Sequence, residues 1–379
     1  MTVLITGATG FVGSRLAHAL LTSRARRVIA LGRGDLASLR RRVVDAVTLH
    51  GGVDADALRR LQCVSGDVTL PWLGLAPGLH ARLAAEVDAV WHCAGDIALG
   101  GERGRLYRVN THGTAQVLAF AEHTRPACRL IHVSTMAVAG NRPAGLVMED
   151  DLSDFHGFVT HYDASKYEAE RLVRDWASRH GRPVVVLRPG VVASDRSLPE
   201  TAADHPLAML GRMIETVASG GAPGIPAAAD LEGGARLRLR LRASAAATFN
   251  IVPSDYATDA MIRIGHDTVH DGAVAHTYHI VHHSPTSLGE LIRVFEQHYS
   301  GLHLQCVEDF YDATPAEEFI AAHLTGFLSY CRLQHRFDRT RTLAATPGLP
   351  EPAPVDRRFL QQALGLACPA SADPPAPVC

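Results

Sequence analysis

The 379 residues suffice for one large core, or for one core with a subdomain. Hydrophobic residues make up 47% and charged residues 20%, as in an ordinary globular protein, and a net charge of −2 offers no bulk attraction to nucleic acid or an anionic membrane. The seven cysteines are odd in number, scattered and free of any Cys-x-x-Cys pair, which points to a reducing compartment and away from a disulfide framework or a zinc site. No apolar run approaches the ~20 residues needed to span a bilayer. Thr2-Val3-Leu4-Ile5 already reads as a buried strand rather than a secretory leader, so the default expectation is a cytoplasmic protein.

Short β-branched runs alternate with longer helical patterns through the first half of the chain. Strands are predicted at Thr2–Thr6, Arg27–Leu31, Gln62–Ser65, Ala89–His92, Leu130–Ser134 and Pro183–Arg188, with helices at Phe11–Leu21, Asp35–Val47, Val109–His123 and Tyr162–His180. This alternation predicts a Rossmann α/β fold, a doubly wound parallel sheet that binds ligands beyond the carboxyl ends of its strands. Regularity weakens after Val192. An apolar segment (Pro206–Val217) and a loop-like stretch (Ala218–Ala229) precede the strand-like Asn250–Pro253, a helix at Asp255–Ile264, a strand at His276–Val281 and a helix at Leu288–His298. The expected division is a dinucleotide-binding domain over residues 1–195, completed by about 246–270. A smaller substrate-binding part would take 196–245 and 271–367, and 368–379 reads as a frayed tail.

Thr6-Gly7-Ala8-Thr9-Gly10-Phe11-Val12-Gly13 joins the first strand to the first helix. Glycines at 7, 10 and 13 suit a tight turn, close approach of a pyrophosphate to backbone, and helix–strand packing, while the helix N-terminus presents free N–H groups. Thr6, Gly7, Thr9, Gly10, Phe11, Val12 and Gly13 are therefore expected at the cofactor. The second strand ends at Leu31-Gly32-Arg33, with glycine where an NAD site places an acid and an arginine suited to a 2′-phosphate. This favours NADP(H), although Asp35 stands close by. In Gly66-Asp67-Val68, Asp67 either accepts from the adenine amino group or caps a turn.

Tyr162 and Lys166 stand four residues apart at the start of a helical pattern and so share a face. A phenol of ordinary pKa is a poor acid or base at neutral pH, and a neighbouring ammonium is expected to lower it. Lys166 is the only lysine among 37 basic residues. A chain that uses arginine wherever charge suffices, as GC-rich genomes tend to, keeps lysine here, where an exchangeable proton serves a relay and the ammonium can bond the nicotinamide ribose. Ser134-Thr135 end the strand that begins at Leu130; a hydroxyl there can hold a substrate carbonyl oxygen, Thr135 being favoured over Ser134 and turn capping being the bland alternative.

TGATGFVG, Asp67, Asn110 in Asn-Thr-His-Gly-Thr, Ser134-Thr135, Tyr162-x-x-x-Lys166 and Arg188-Pro189-Gly190 together resemble the extended short-chain dehydrogenase/reductases over roughly residues 1–300. The resemblance implies Thr135, Tyr162 and Lys166 as catalytic residues, and Asn110 as support for the site and its proton relay. It places Val68, Ala94, Pro189, Gly190, Tyr162 and Lys166 beside the cofactor. Looser motifs are similar to thioester reductase domains and fatty-acyl-CoA reductases: Leu31-Gly32-Arg33, Pro71-Trp72-Leu73-Gly74-Leu75, Val87 through His92, Ile251 through Tyr256, and Phe337-Asp338 through Phe359-Leu360. With no adenylation region or carrier-protein serine motif before the reductase, the substrate is expected to arrive already activated. Asp96 departs from the pattern, as a charge where a small neutral residue is expected.

Two other clusters are weighed against their bland readings. Arg236, Arg238, Arg240 and Arg242 alternate with leucines and face one side of a strand; a solvated face is preferred over a site for coenzyme A phosphates or an acidic carrier. His276 and His282 would face opposite to His279 and His283 on a strand, so no metal site is expected. The leading expectation is NADPH-dependent reduction of an acyl thioester, on coenzyme A or an acyl carrier protein, to aldehyde or alcohol. The alternatives are a reductase or dehydrogenase of a free ketone, aldehyde or secondary alcohol and, behind it, a non-catalytic NADP-binding sensor. Oligomeric state is left open, the homodimer being the commonest soluble assembly.

Overall fold

A computed structural model describes residues 1–23, 27–196, 203, 205–221, 227, 237–266 and 274–366. Seven parallel strands form the central sheet: β1 (Thr2–Thr6), β2 (Arg27–Gly32), β3 (Leu61–Ser65), β4 (Ala89–His92), β5 (Arg129–Val133), β6 (Val184–Pro189) and β7 (Ala275–Ile280), in the order β7-β6-β5-β4-β1-β2-β3. Runs such as Val184-Val185-Val186-Leu187 are buried on both faces, as a parallel sheet covered by helices requires. One face packs against α1 (Phe11–Thr22), α2 (Leu36–Thr48) and a helix at Ser254–His266, through Leu16, Leu20, Leu39 and Met261. The other packs against α3 (Gly113–Glu122) and α4 (His161–His180), through Val117, Phe120, Val173 and Trp176. The Rossmann architecture expected from the alternation is the one observed.

The reversal of strand order between β1 and β4 opens the crevice in which such sheets bind ligands. A separate core lies on the substrate side. It joins the helices Pro206–Ala218, Leu288–His298, Pro315–His323 and Arg357–Ala363 to a parallel pair, Leu237–Arg242 with Leu302–Val307.

Several expected boundaries are corrected. β7 pairs in parallel with β6, Ala275 opposite Val184, so the sheet claims a strand that the sequence division gives to the substrate part from residue 271. The apolar run from Pro206 is a helix. The pattern predicted from Val109 begins at Arg103 and passes through a wide π-turn, Tyr107–His112, before α3. His282 and His283 lie beyond the end of β7, stacked on each other at 4.3 Å. His279 bonds the Asp338 carbonyl at 2.7 Å, and among the described residues no group of three or more His, Cys, Asp or Glu side chains could hold a metal. Part of the loop-like stretch, and the tail from 368, fall outside the described residues.

Candidate active site

The glycine turn is shaped by crowding. A Cβ on Gly13 would stand 2.1 Å from the Gly7 carbonyl oxygen, and one on Gly7, at φ +74°, would stand 2.7 Å from the Ala94 nitrogen. α1 starts at Phe11 behind Gly10, which offers no side-chain cap, so its first N–H groups face the crevice. Thr6 at the end of β1 is fully buried, and its hydroxyl accepts from the Ala94 N–H at 3.1 Å. This turn fits a dinucleotide pyrophosphate.

At the end of β2, Arg33 is exposed, and the Arg42 guanidinium donates to its carbonyl. Asp35 is not a free acceptor. It is the N-cap of α2, and its carboxylate accepts from Ser38 N–H at 2.9 Å. Asp67 Oδ1 accepts from both the N–H and the hydroxyl of Thr69, at 2.8 and 2.9 Å, so the turn-capping role weighed against adenine binding is occupied at that oxygen. Its N–H donates to Leu73 O at 2.9 Å, across a bend in which Trp72 and Leu73 adopt left-handed backbone. Val68 is buried and abuts Gly113.

The turn opens into a cavity of about 370 Å³ lined by Thr135, Tyr162, Lys166, Pro189 and Gly190 on one side, and by apolar residues including Phe249, Ile251 and Phe327 on the other. β5 delivers two hydroxyls with opposite fates. Ser134 turns inward and donates to Glu170 at 2.8 Å, whereas Thr135 lines the cavity and hydrogen-bonds the Tyr162 hydroxyl. The preference for Thr135 thus has a structural reason: Ser134 is committed to the interior.

α4 is capped by Thr160, which accepts from Asp163 N–H at 3.3 Å, and it ends at left-handed Gly181. Tyr162, Lys166 and Glu170 follow one face at intervals of four. Lys166 donates to the Val133 carbonyl at 2.9 Å, and burial, against the nearby Glu170 and Cys93, lowers its ammonium to about 8. The expected lowering of the Tyr162 phenol by Lys166 is not found. Burial pushes that phenol up to about 12, the Thr135 hydrogen bond works against the rise, and Asp163 adds to it. The ammonium is held at the strand carbonyl rather than aimed at the phenol.

Asn110 sits in the π-turn with its side chain saturated. Its oxygen accepts from Asp96 N–H at 2.7 Å, and its nitrogen donates to Asp96 O and to Ser165 Oγ, each at 2.9 Å. The Asp96 carboxylate pairs with Arg105 at 2.6 Å, so this charge at the cavity rim is compensated.

Two groups escape sequence reasoning. Tyr330 lines the cavity and donates its hydroxyl proton to Asp163, a contact across 167 residues. Asp163 is 0% exposed, its Oδ2 has no hydrogen-bond partner, and burial raises its carboxyl to about 6 despite donors from Tyr330 and Thr160. The second group is the buried pair of Arg188 and Glu170, bonded at 2.7 and 3.0 Å and joined by Arg174 at 3.1 Å. On the far strand pair, Arg240 bonds Glu317 and Asp312, and Arg242 bonds Asp309; Arg236 lies outside the described residues.

A parallel sheet with a glycine turn at its switch point, and a Thr/Tyr/Lys set beside it, defines an NAD(P)-dependent oxidoreductase of the extended short-chain dehydrogenase/reductase type. The sequence model of the male sterility protein family matches residues 5–261, and the chain belongs to that family. Relatives include the isonitrile lipopeptide synthase of Streptomyces coeruleorubidus, 36% identical over 194 residues, covering 50% of this chain and 13% of the synthase. A linear gramicidin synthase of Brevibacillus parabrevis is 26% identical over 302 residues, covering 77% of this chain and 5% of that protein. This chain therefore spans only a small part of such multidomain relatives. The terminal R domain of the myxalamid PKS-NRPS pathway has the same fold, with a TM-score of 0.73 at 22% identity, covering 96% of this chain and 90% of that one. UDP-glucuronic acid 4-epimerase of Bacillus cereus shares the fold as well, with a TM-score of 0.63 at 18% identity over 97% and 98% of the two chains. No helix among the described residues is long and apolar enough to cross a membrane.

Proposed function

We propose that this protein is an NADPH-dependent reductase of an acyl thioester, carried on coenzyme A or a carrier protein, yielding an aldehyde or alcohol. The observation that carries the reading is the junction of the glycine turn with a mainly apolar cavity at the Thr135 and Tyr162 hydroxyls. Multidomain peptide synthetases and a carboxylic acid reductase among the relatives support the thioester. Exposed Arg33, with Asp35 committed as a helix cap, supports a 2′-phosphate. Thr6, the turn from Gly7 to Gly13, Arg33, Val68, Ala94, Pro189 and Gly190 would hold the cofactor, whose reduced nicotinamide supplies hydride when bound.

Thr135 and Tyr162 donate to the carbonyl oxygen and stabilise the charge that develops there. With its phenol near 12, Tyr162 is protonated at neutral pH and suits a donor. Lys166, near 8, is mostly charged at pH 7 and maintains a positive field beneath the site. Collapse of the hemithioacetal breaks the C–S bond, and sulfur leaves with the electron pair to become free thiol. A further reduction to alcohol has Tyr162 protonate the alkoxide.

The test is purified protein with NADPH and a panel of acyl-CoAs, aldehydes and ketones, following absorbance and thiol together. Stoichiometric thiol is expected; oxidation with free carbonyls alone moves the protein to carbonyl reduction. Tyr162→Phe should bind NADPH normally and lose about 10²–10⁴-fold in turnover. Full activity in that variant removes Tyr162 from the chemistry.

A further inference from the structure

β4 and β5 place His92 and His132 side by side in register, their rings 5.4 Å apart, yet the two are wired differently. Both His132 nitrogens are buried without a hydrogen-bond partner. His92 is bonded at both nitrogens, Nδ1 to Thr6 Oγ1 at 2.9 Å and Nε2 to Thr114 Oγ1 at 3.0 Å.

Counting protons fixes the direction of this chain. Thr114 gives its one hydroxyl proton to the Asn110 carbonyl at 2.6 Å, so it must accept from His92 Nε2–H. His92 is neutral, its pKa lowered to about 3 by burial and by Lys166, so Nδ1 carries no proton and accepts from Thr6 Oγ1–H. From Asn110 the path continues through Nδ2–H to Ser165 Oγ at 2.9 Å, and from Ser165 to the Tyr162 carbonyl at 2.7 Å. One end of the chain is the residue that opens the glycine turn. The other is the first turn of the catalytic helix.

We propose that His92 is a positioning residue with two separable functions: its Nδ1 orients Thr6 for cofactor binding, and its Nε2–H, through Thr114 and Asn110, holds the Tyr162 turn for catalysis. The proposal rests on the reading that the glycine turn binds NADPH and that Tyr162 is the proton donor.

Two amide substitutions divide the imidazole. Asn places its oxygen near the Nδ1 position, keeping the acceptor for Thr6 and losing the donor to Thr114; Gln places its amide nitrogen near Nε2 and does the reverse. His92→Asn should leave the NADPH Kd within about twofold and lower kcat about tenfold, the scale of one lost buried hydrogen bond. His92→Gln should raise the Kd about tenfold and leave kcat within about twofold. Thr114→Val, which removes the link to Asn110 without touching the imidazole, should repeat the kcat loss with an unchanged Kd. His132→Leu should move neither value.

Unchanged values in all His92 and Thr114 variants overturn the proposal, as do Kd and kcat moving together in each, or the same split in His132→Leu. The Kd, read by fluorescence without substrate, and kcat, read on any carbonyl the enzyme reduces, do not depend on a thioester. Failure of thioester turnover would therefore count against the proposed function and leave the His92 test intact.

Discussion

Helix α4 buries two carboxylates seven residues apart and treats them in opposite ways. In its first turn, Asp163 receives only neutral donors, from Tyr330 and Thr160, and one oxygen has no partner, so burial dominates and its carboxyl rises to about 6. In its third turn, Glu170 is equally buried but meets Arg188, Arg174 and Ser134. Burial works upward there too, and the two guanidiniums outweigh it, holding the carboxyl at about 2. Depth is the same at both sites, and the charge of the partners decides the outcome. The difference divides the helix: the third turn is clamped to the sheet through a full ion pair, while the turn carrying Tyr162 holds an exchangeable proton.

Breaking the stronger site should have the largest effect. Glu170→Gln leaves the Arg188 charge buried without its counter-ion, and denaturant unfolding at pH 7 should show a loss of about 3–5 kcal/mol. A loss under ~1 kcal/mol would mean that the pair contributes little. The Glu170 contribution is present above its ordinary value of 4.5 and should fade as pH falls through about 2.

The weaker site should respond with the opposite sign. Asp163 binds its proton more tightly folded than unfolded, so its contribution is greatest below about 3.8 and is lost as pH rises through about 6. At pH 7 this amounts to about 3 kcal/mol against folding. Asp163→Asn, which keeps an acceptor for Tyr330, should be more stable than the parent at pH 7 and should flatten the stability profile between pH 4 and 6. An unchanged profile would mean that the carboxylate is solvated.

Lys166, between the two, sharpens the comparison. Its ammonium is depressed from 10.5 to about 8, so stability should rise as pH climbs from 8 to 10.5. Lys166→Met should gain about 2 kcal/mol at pH 7, reduced by the donor that the Val133 carbonyl loses, while turnover collapses. Wild-type turnover should fall above pH about 8 as the ammonium loses its proton. Activity that holds level to pH 10 would remove the charge on Lys166 from the mechanism.

The sequence made the dinucleotide half legible because its signals are local. Gly7, Gly10 and Gly13 sit between a strand and a helix, Tyr162 and Lys166 are one helical turn apart, and alternating runs announce the sheet. Signals blurred where partners are distant. β7 lies beyond the helix Ser254–His266, and its place is set by pairing with β6, which periodicity does not encode. Asp35 and Arg33 could be ranked only after the α2 cap was seen to occupy the carboxylate. The expected lowering of the Tyr162 phenol failed because spacing along a helix places two side chains on one face without saying where the ammonium points.

By itself the sequence determined the parallel α/β fold, the glycine turn and the Thr135, Tyr162 and Lys166 set, since each depends on backbone geometry within a few residues. The tertiary structure alone decided that Ser134 turns inward, that Tyr330 reaches Asp163 from 167 residues away, and that His92 links the turn to the catalytic helix. Those outcomes depend on which polar groups meet after burial. In a low-dielectric interior each group must be satisfied by whatever the packing brings to it, and no local pattern records that choice.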